Sequence, residues 1–439
     1  MKNIFVIGME PFNQELLETL NEPQEQYRFL PLFGYEEVVE PANFGYPSIK
    51  HLIQRARDER DRLDGTLDAV MGYWDFPTSA LVPLIARDLG LPGPSPESVA
   101  RCEHKYYSRV EQKKVVPEMV PGFQSVNPFA EDPLGDLVVD YPFWLKPIKA
   151  HSSFLGYHID GPERFRKALV KVREHIGFFA QPFNEFLDEI DLPEEIRAVD
   201  GYHCIAEEIV SADYQFTLEG YCWEDKIEIF GIVDSIREGQ HHSSFSRYQY
   251  PSKLPQKILD RTIEAAGKIM RHIEYQNGCF NIEFFWNPGS DRLYILEINS
   301  RISKSHSPLF LMVDGAPNLQ VPLELALGRE PDFPHRQGEY PLSGKFMLRY
   351  HEDGFVERAP TEADIVKLRE RFPEARVVLY ARQGMQLSDL ALQDSYSFEA
   401  AVIFLGASGQ EELEHKFETA KEILNFQIRP LKREEREEA

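Results

Sequence analysis

Residues 280–301 read FNIEFFWNPGSDRLYILEINSR, and this stretch decides the fold predicted for the chain. Two runs rich in β-branched and aromatic residues flank the turn-forming residues 288–292, a pattern typical of a β-hairpin. We centre the strand pairing on Ser290. Because side chains two apart in a strand share a face, one face of the hairpin then carries two opposed polar pairs: Glu283 with Glu297 and Asn281 with Asn299.

Two carboxylates that face each other across a sheet need an explanation, because like charges in this position are destabilising. The other face of the hairpin carries only apolar side chains: Ile282, Phe284, Leu296 and Ile298. A hard cation between the acids would stabilise the pair, and carboxylate and amide oxygens suit Mg²⁺ or Mn²⁺. On the pattern alone, a solvent-exposed polar face with scattered charges remains an alternative.

The hairpin resembles the metal-binding hairpin of the ATP-grasp superfamily, in which an acid and a Glu-x-Asn segment bind one or two Mg²⁺ ions that bridge ATP phosphates. The matching segments are NIEF at 281–284 and EINSR at 297–301. The resemblance implies ATP and Mg²⁺ or Mn²⁺ as cofactors, with two metal ions. In the family, the arginine of the second segment contacts the transferring phosphate or the acyl phosphate. The implied residues are the metal ligands Glu283, Glu297 and Asn299 and the catalytic Arg301.

Two lysines match the nucleotide-binding lysines of the family, in the family's order. Lys105 stands at the first, and Lys146, in the strand PFWLKP at 142–147, stands at the second, which neutralises ATP phosphates. A charge in an apolar strand is costly unless it is paired, which favours a functional Lys146. The loop that follows contains Ser152 and Ser153 as candidate ATP-binding residues, although it is poorer in glycine than is usual in the family.

The segment 206–220 (AEEIVSADYQFTLEG) resembles the hinge of the family, which binds the adenosine part of ATP. Glu208 would open the hinge, and the backbone of Ile209 and Val210 would contact the adenine. Gln215 stands where a ribose-binding Glu is common. The resemblance therefore implies that these four residues bind ATP.

Strands and helices alternate through the first ninety residues, which predicts a parallel sheet. The Pro/Gly/Ser-rich segment 90–98 marks the first domain boundary. The predicted fold class is α/β with α+β character: an ATP-grasp fold, an N-terminal parallel-sheet domain and a small C-terminal domain. We expect an N-terminal α/β domain at 1–95, an ATP-grasp domain at 96–335 (lid about 115–205, metal-binding subdomain about 206–335), a C-terminal α+β domain at 336–430 and a charged tail at 431–439.

The charge of the chain excludes some classes of protein. Its 439 residues include 48 basic and 72 acidic residues, which gives a net charge of −24. This balance argues against a protein that grips nucleic acid or an anionic membrane through a basic face. The charge is uneven, because 16 acidic but only 3 basic residues lie between Phe183 and Glu238.

Cysteine usage and hydropathy predict a cytoplasmic protein. The four cysteines show no Cys-x-x-Cys pairing, which argues against a zinc finger and a secreted disulfide scaffold. The apolar run near the N-terminus is too short for the core of a signal peptide. No stretch approaches the ~18 apolar residues of a membrane span.

The reaction that the resemblance implies is a ligation. The γ-phosphate of ATP would activate a small-molecule carboxylate as an acyl phosphate, and an amine would then displace the phosphate. A biotin carboxylase-like enzyme that forms carboxyphosphate from bicarbonate and a non-catalytic ATP-binding protein remain alternatives. The expected partners are small-molecule carboxylate and amine substrates, with a homodimer as the usual assembly. The candidate substrate-binding histidines, which could equally be exposed loop residues, are His241, His242 and His306.

Overall fold

The chain forms two compact units in the computed structural model, which describes residues 1–41, 45–151, 154–237, 244–390 and 397–431. The first unit comprises Met1–Phe230, Pro255–Lys304 and Asn318–Phe333. The second comprises Gly231–Leu254, Ser305–Pro317 and Pro334–Ala439.

The strands and helices alternate along much of the chain. The strands are β1 (Lys2–Ile7), β2 (Tyr27–Leu32), β3 (Ala69–Met71), β4 (Phe123–Val126), β5 (Phe143–Pro147), β6 (Tyr157–Ile159), β7 (Cys204–Glu208), β8 (Tyr214–Trp223), β9 (Lys226–Ile236), β10 (Arg247–Tyr250), β11 (Gly278–Asn287), β12 (Arg292–Asn299), β13 (Leu342–Tyr350), β14 (Gly354–Arg358), β15 (Arg376–Leu379), β16 (Phe398–Ala407) and β17 (Gln427–Pro430). The helices are α1 (Pro11–Glu18), α2 (Tyr35–Val38), α3 (Ile49–Arg62), α4 (Thr78–Leu89), α5 (Pro96–Glu103), α6 (Lys105–Val115), α7 (Pro162–His175), α8 (Gly177–Leu187), α9 (Glu194–Arg197), α10 (Gln256–His272), α11 (Ser307–Asp314), α12 (Gln320–Ala326), α13 (Glu362–Arg371) and α14 (Gln410–Leu424).

The N-terminal sheet has the order β2-β1-β3, and both pairings are parallel. The last four residues of β1 and all of β3 are buried, as expected for a parallel sheet that is covered on its faces. The predicted fold class is confirmed. After α4, Ser95 caps α5 by accepting a hydrogen bond from the Ser98 backbone N–H.

A break at His104 separates α5 from α6. The helix that Ser95 caps ends at Glu103, and Lys105 is the first residue of a separate helix, α6. The His104 side chain accepts a hydrogen bond from the Tyr107 backbone N–H and so caps the new helix. The lysine therefore lies at a corner rather than on a continuous helical face.

The predicted hairpin is β11 and β12, and its register is confirmed: Glu283 pairs with Glu297 and Asn281 with Asn299. The turn is one residue shorter than predicted, because β12 begins at Arg292. A β-bulge beyond Glu283 takes up the difference, so that Phe284 pairs with Ile295 and Leu296 is left without a partner. Ile295, not Leu296, is therefore the buried residue opposite Phe284.

Strand β8 pairs antiparallel with β11, and the strand order in the first unit is β12-β11-β8-β9. The apolar face of these strands includes Phe216 and Phe284, whose rings are stacked with their centroids 5.6 Å apart. A separate antiparallel sheet of the same unit has the order β4-β7-β5-β6. Its core packs Phe143 and Leu145 against Phe165 and Leu169 of α7.

The second unit contains β10, β13, β16 and β15, which are hydrogen-bonded in that order, and the pair β14 and β17. Helices α13 and α14 bury Leu368, Leu413 and Leu424 in a core with Ile403 and Leu405 of β16. Strand β9 runs through the point at which the chain passes from the first unit to the second.

All four cysteines are buried and none forms a disulfide: Cys102, Cys204, Cys222 and Cys279. Burial raises the pKa of every one of these thiols, to about 12 for Cys222 and Cys279. Among the helices in the described ranges, none is both long enough and apolar enough to span a bilayer.

Candidate functional site

One face of the sheet in the first unit is polar across three adjacent strands. Register places Gln215, Thr217 and Glu219 of β8 beside β11, and β11 beside β12. Most of these side chains are buried, although they are polar. The face comprises Gln215, Thr217, Glu219, Asn281, Glu283, Glu297 and Asn299. Buried polar groups require hydrogen-bond or ionic partners, and this concentration marks the face as the candidate site.

The two opposed acids of this face titrate in opposite directions. Burial and the neighbouring Glu297 raise the pKa of Glu283 to about 7. Burial also disfavours the Glu297 carboxylate, but the nearby ammonium of Lys105 outweighs that effect and lowers the pKa of Glu297. Gln215 donates a hydrogen bond from Nε2 to Glu283 Oε2 at 3.0 Å. Glu297 therefore has a cationic partner in the site, whereas Glu283 accepts its hydrogen bond from a neutral amide.

Lys105 lies against Glu297. Its Nζ is 2.6 Å from Glu297 Oε1 and donates to the carbonyl oxygen of Ala150 at 2.9 Å. Ala150 belongs to the loop that follows β5. Lys105 thus joins the start of α6, this loop and the acidic hairpin in one place.

Lys146 forms part of a second ionic cluster. Its Nζ is 2.5 Å from Glu207 Oε2, and Arg109 Nε donates to Glu207 Oε1 at 2.5 Å. Burial would raise the pKa of Glu207, but the charges of Arg109 and Lys146 lower it to about 2. The guanidinium of Arg109 also donates to the carbonyl oxygens of Ile295 and Leu296, at 2.9 and 2.8 Å. Arg109 therefore connects the lysine cluster to the bulge beside Glu297.

Arg301 is held between the hairpin and the N-terminal sheet. Its Nη2 is 2.5 Å from Oδ2 of Asp75, which follows β3. Its carbonyl oxygen accepts a hydrogen bond from Asn281 Nδ2 at 2.9 Å. Its Nε is buried and makes no hydrogen bond to the described residues. Burial would raise the pKa of Asp75, but the positive charge of Arg301 lowers that pKa well below its ordinary value.

A further acid, Glu10, and two aromatic residues, Tyr73 and Trp74, lie where the strands of the parallel sheet end. Tyr73 donates from its hydroxyl to Glu10 Oε2 at 2.9 Å, and burial raises the pKa of Glu10. The ammonium of Lys304 lies 3.7 Å from the centroid of the Trp74 ring. The carboxyl ends of parallel strands are the usual place for ligands in α/β sheets.

The remaining predicted residues have different placements. The carboxylate of Glu208 is exposed and accepts a hydrogen bond from the Gly122 backbone N–H at 2.8 Å, away from the paired acids. Ile209 and Val210 are half-buried residues that follow β7. His306 is buried in the second unit, where its ring lies edge-on to that of Tyr248, with the ring centroids 5.2 Å apart. Ser152, Ser153, His241 and His242 lie outside the described residues.

Several residues of the site were absent from the sequence prediction: Asp75, Glu103, Arg109, Lys149 and Glu207. Two of them had a signal in the sequence. Lys146 in an apolar strand needs an acidic partner, and Glu207 stands in the neighbouring strand. Asp75 closely follows a buried parallel strand, where functional residues concentrate. The partners of the other three depend on long-range contacts that no local pattern encodes.

The donor set of the polar face fits Mg²⁺. Among the described residues, no group of three or more His, Cys, Asp or Glu side chains is arranged to hold a metal ion. The face instead offers two carboxylates, Glu283 and Glu297, and the amide of Asn299. Mg²⁺ is commonly bound by one or two carboxylates, with substrate phosphates and water as its other ligands. A divalent cation would also relieve the repulsion that contributes to the raised pKa of Glu283.

Comparison with known proteins agrees with this arrangement. Residues 241–332 match the family described as carbamoyl-phosphate synthase L chain, ATP binding domain. An uncharacterised protein of Sinorhizobium fredii, y4rH, is 25% identical over 309 residues, which are 66% of this chain and 59% of that protein. The chain spans between 9% and 59% of the length of the curated relatives it matches.

Solved structures match nearly the whole chain. The L-amino acid ligase from Bacillus licheniformis has a TM-score of 0.70 and 17% identity, and the match covers 98% of this chain and 99% of that one. A dimeric biotin carboxylase domain of the Hydrogenobacter thermophilus 2-oxoglutarate carboxylase, bound to MgADP, ADP and bicarbonate, has a TM-score of 0.62 and 14% identity, with 98% and 91% coverage. At these identities the likeness establishes the fold. The chain therefore has the ATP-grasp fold that its sequence predicts, and residues 241–332 resemble an ATP-binding domain.

Proposed function

We propose that the chain is an ATP-dependent, ADP-forming ligase that activates a small-molecule carboxylate as an acyl phosphate and joins it to an amine. The observation that carries the proposal is the polar sheet face, on which two opposed acids lie with Lys105 at one of them. Such a face is costly to bury unless its charges are paired, and a cation between the acids with a polyanion at the lysine would pair them. MgATP meets both requirements.

Different residues of the site are assigned to the phosphates, the metal and the rest of the nucleotide. We assign Lys105 and Lys146 to the ATP phosphates, and Glu283, Glu297 and Asn299 to Mg²⁺ or Mn²⁺. When bound, the metal would neutralise charge on the phosphate oxygens. Gln215, with the hinge residues Glu208, Ile209 and Val210 and the loop residues Ser152 and Ser153, is assigned to the remainder of the nucleotide.

Arg301 is assigned to the reacting group. An oxygen of the substrate carboxylate would attack the γ-phosphorus, and the bond from that phosphorus to the β,γ-bridging oxygen would break, which releases ADP. The guanidinium of Arg301, held by Asp75, would stabilise the charge on the transferring group. The amine nitrogen would then attack the acyl carbon, lose a proton, and displace inorganic phosphate.

The known structures support this assignment by analogy. The Bacillus protein is an L-amino acid ligase, and the Hydrogenobacter domain binds MgADP and bicarbonate. Bicarbonate activation, as in a biotin carboxylase, is therefore the second candidate for this chain. The Hydrogenobacter domain is also a dimer, and we extend the expectation of a homodimer to this chain, to be measured by sedimentation equilibrium.

A substrate panel tests the proposal. The protein is mixed with MgATP and pooled carboxylates and amines, and ADP and phosphate are measured. ADP release that requires both a carboxylate and an amine supports the ligase. Release with bicarbonate and biotin supports the second candidate, and binding of ATP without turnover in any mixture would point to a non-catalytic protein.

A single substitution tests the role of the acidic pair. Glu297→Ala removes the carboxylate that faces Glu283 and contacts Lys105, so we expect ADP release to be abolished while the fold is kept. Glu374→Ala is the control, because Glu374 also pairs with a lysine, Lys416, at 2.7 Å in the second unit and is more deeply buried than Glu297. Near wild-type ADP release by the Glu297 variant would refute the metal assignment.

A further inference from the structure

A buried ion pair lies beside the polar face but is not part of it. Lys149 is 2% exposed and Glu103 is 3% exposed, and the Lys149 ammonium contacts Glu103 Oε2 directly. The other oxygen of Glu103 accepts hydrogen bonds from Ser300, at 2.7 Å from Oγ and 3.3 Å from the backbone N. Both carboxylate oxygens are thus engaged, and the pair connects three separate segments of the chain.

Each of these segments carries a residue assigned to the site. Glu103 ends α5 and stands two residues before Lys105. Lys149 precedes Ala150, whose carbonyl oxygen accepts the hydrogen bond from Lys105. Ser300 is the residue between Asn299 and Arg301. A change at the pair would therefore move a lysine, the loop after β5 and the end of β12 together.

Stability alone does not account for this pair. Replacing a buried ion pair by well-packed apolar residues is often neutral or stabilising, because the charges lose their hydration. The Lys149 ammonium is also nearly inaccessible to solvent, so a dissolved ligand does not reach it in this structure. Burial would lower the pKa of Lys149, but Glu103, with Asp75 and Glu297, raises it, so the lysine stays charged.

We propose that the Glu103–Lys149 pair is a positioning device for the phosphate end of the site. It holds the loop after β5 and the Ser300 segment at the spacing that lets Lys105 and Arg301 act on the same polyphosphate. Neither residue contacts the nucleotide. The inference rests on the proposed function, because it assumes that the site binds ATP.

The test compares ATP with adenosine, which lacks the phosphates. Binding of each, with Mg²⁺ present, is measured by calorimetry for the wild type, Lys149→Met, Glu103→Gln and the apolar double variant Lys149→Met/Glu103→Leu. We expect ATP affinity to fall about tenfold or more in all three variants, as for residues that orient ligand-binding groups. Adenosine affinity should stay unchanged, whereas general damage to the fold would lower both.

The two single variants separate positioning from direct contact. If Lys149 bound a phosphate itself, Glu103→Gln would free its charge and keep or increase ATP affinity, and that result would overturn the proposal. Unchanged ATP affinity in the double variant would also overturn it. The double variant guards against misfolding of the single ones, since it leaves no unpaired buried charge.

A matched pair elsewhere serves as the control. Lys416 and Glu374 form a similarly buried ion pair in the second unit, and Lys416→Met/Glu374→Leu should leave ATP affinity unchanged. A tenfold loss in this control would mean that any lost ion pair disturbs the site, and would refute the specific role of the Glu103–Lys149 pair. If the wild type does not bind ATP, both the proposed function and this inference are refuted. If the wild type binds ATP and the three variants bind it equally well, only the inference is refuted.

Discussion

At the scale of single residues, the site shows how one neighbouring charge decides the behaviour of an acid. Glu283 and Glu297 are opposed in one hairpin and are both half-buried, yet within the described residues Lys105 contacts Glu297, whereas Glu283 contacts the amide of Gln215. The pKa of Glu297 is lowered, whereas that of Glu283 is raised to about 7. The sequence predicted that the two acids face each other. It could not predict which of them Lys105 contacts, because that lysine is nearly two hundred residues away.

The raised pKa of Glu283 predicts a pH-dependent difference in stability for the metal-free protein. A carboxyl whose pKa is raised by folding stabilises the protein below its unfolded pKa, and this contribution is lost as the pH rises through about 7. Glu283→Gln mimics the protonated acid. At pH 8 its free energy of unfolding should exceed that of the wild type by about 2 kcal/mol, and at pH 5 by much less. Urea unfolding at both pH values measures this difference.

Glu297→Gln is the matched control for this measurement, with the opposite sign. The pKa of Glu297 is lowered, so its contribution to stability is present above the unfolded pKa and is lost as the pH falls through the folded value. This variant should therefore be less stable than the wild type at pH 8. Equal effects of the two substitutions at pH 8 would contradict the asymmetry of the pair.

At the scale of secondary-structure elements, the hairpin was predictable and its bulge was not. The alternation of polar and apolar residues fixed the register of the acids, since a slip by one residue would bury the charges and expose the apolar face. The same alternation placed Leu296 opposite Phe284 on the apolar face, but the bulge puts Ile295 opposite Phe284 and leaves Leu296 half-buried. At the bulge, the Arg109 guanidinium donates hydrogen bonds to the Ile295 and Leu296 carbonyl oxygens, and we expect these bonds to stabilise it.

If Arg109 stabilises the bulge, replacing it should weaken the hairpin at β12. Arg109→Lys keeps the positive charge, but an ammonium does not span two carbonyl groups and Glu207 as a planar fork does. We expect a loss of about 2 kcal/mol in the free energy of unfolding, since two or three buried hydrogen bonds are lost. Amide hydrogen exchange within residues 295–297 should become faster.

Arg329→Lys provides the comparison, because Arg329 also contacts two acids, Glu25 and Glu324, but is one-third exposed. Its loss of stability should be smaller, as is usual for ion pairs near the surface. Similar losses for the two variants would show that the bulge does not depend on Arg109.

At the scale of the whole molecule, the order of short motifs predicted the fold better than any one motif did. The two lysines, the hinge and the hairpin occur in the order of the ATP-grasp superfamily, and the fold class is confirmed. The passage from the first compact unit to the second was not visible in the sequence. It falls inside β9, a single strand with no break in composition.

The uneven charge predicts an effect on the approach of substrate. Within the acidic segment 183–238, five neighbouring acids are exposed or half-buried: Asp188, Glu189, Asp191, Glu194 and Glu195. If this segment attracts a cationic amine, converting the five to amides should raise the apparent KM for the amine about twofold at low salt. The effect should disappear at high salt, where charges are screened.

A control variant with acids neutralised elsewhere on the surface shows whether the rise in KM comes from the acidic segment or from the change in net charge. Four exposed acids of α14 serve this purpose: Glu411, Glu414, Glu418 and Glu422. Their conversion to Gln should leave the KM for the amine unchanged. An unchanged KM in the first variant as well would assign the acidic segment to solubility alone.

Because all four thiols are buried, the native protein should react little with thiol-specific labels. Thiols that are shielded from solvent and have a raised pKa form little of the reactive thiolate. We expect a maleimide dye to leave the native protein unmodified and to label it four times in denaturant, which mass spectrometry counts. A cysteine introduced at an exposed position of the hinge segment that has no assigned role, for example Asp213, would then carry the only fluorophore, and its emission would follow each binding event while the four native cysteines are kept.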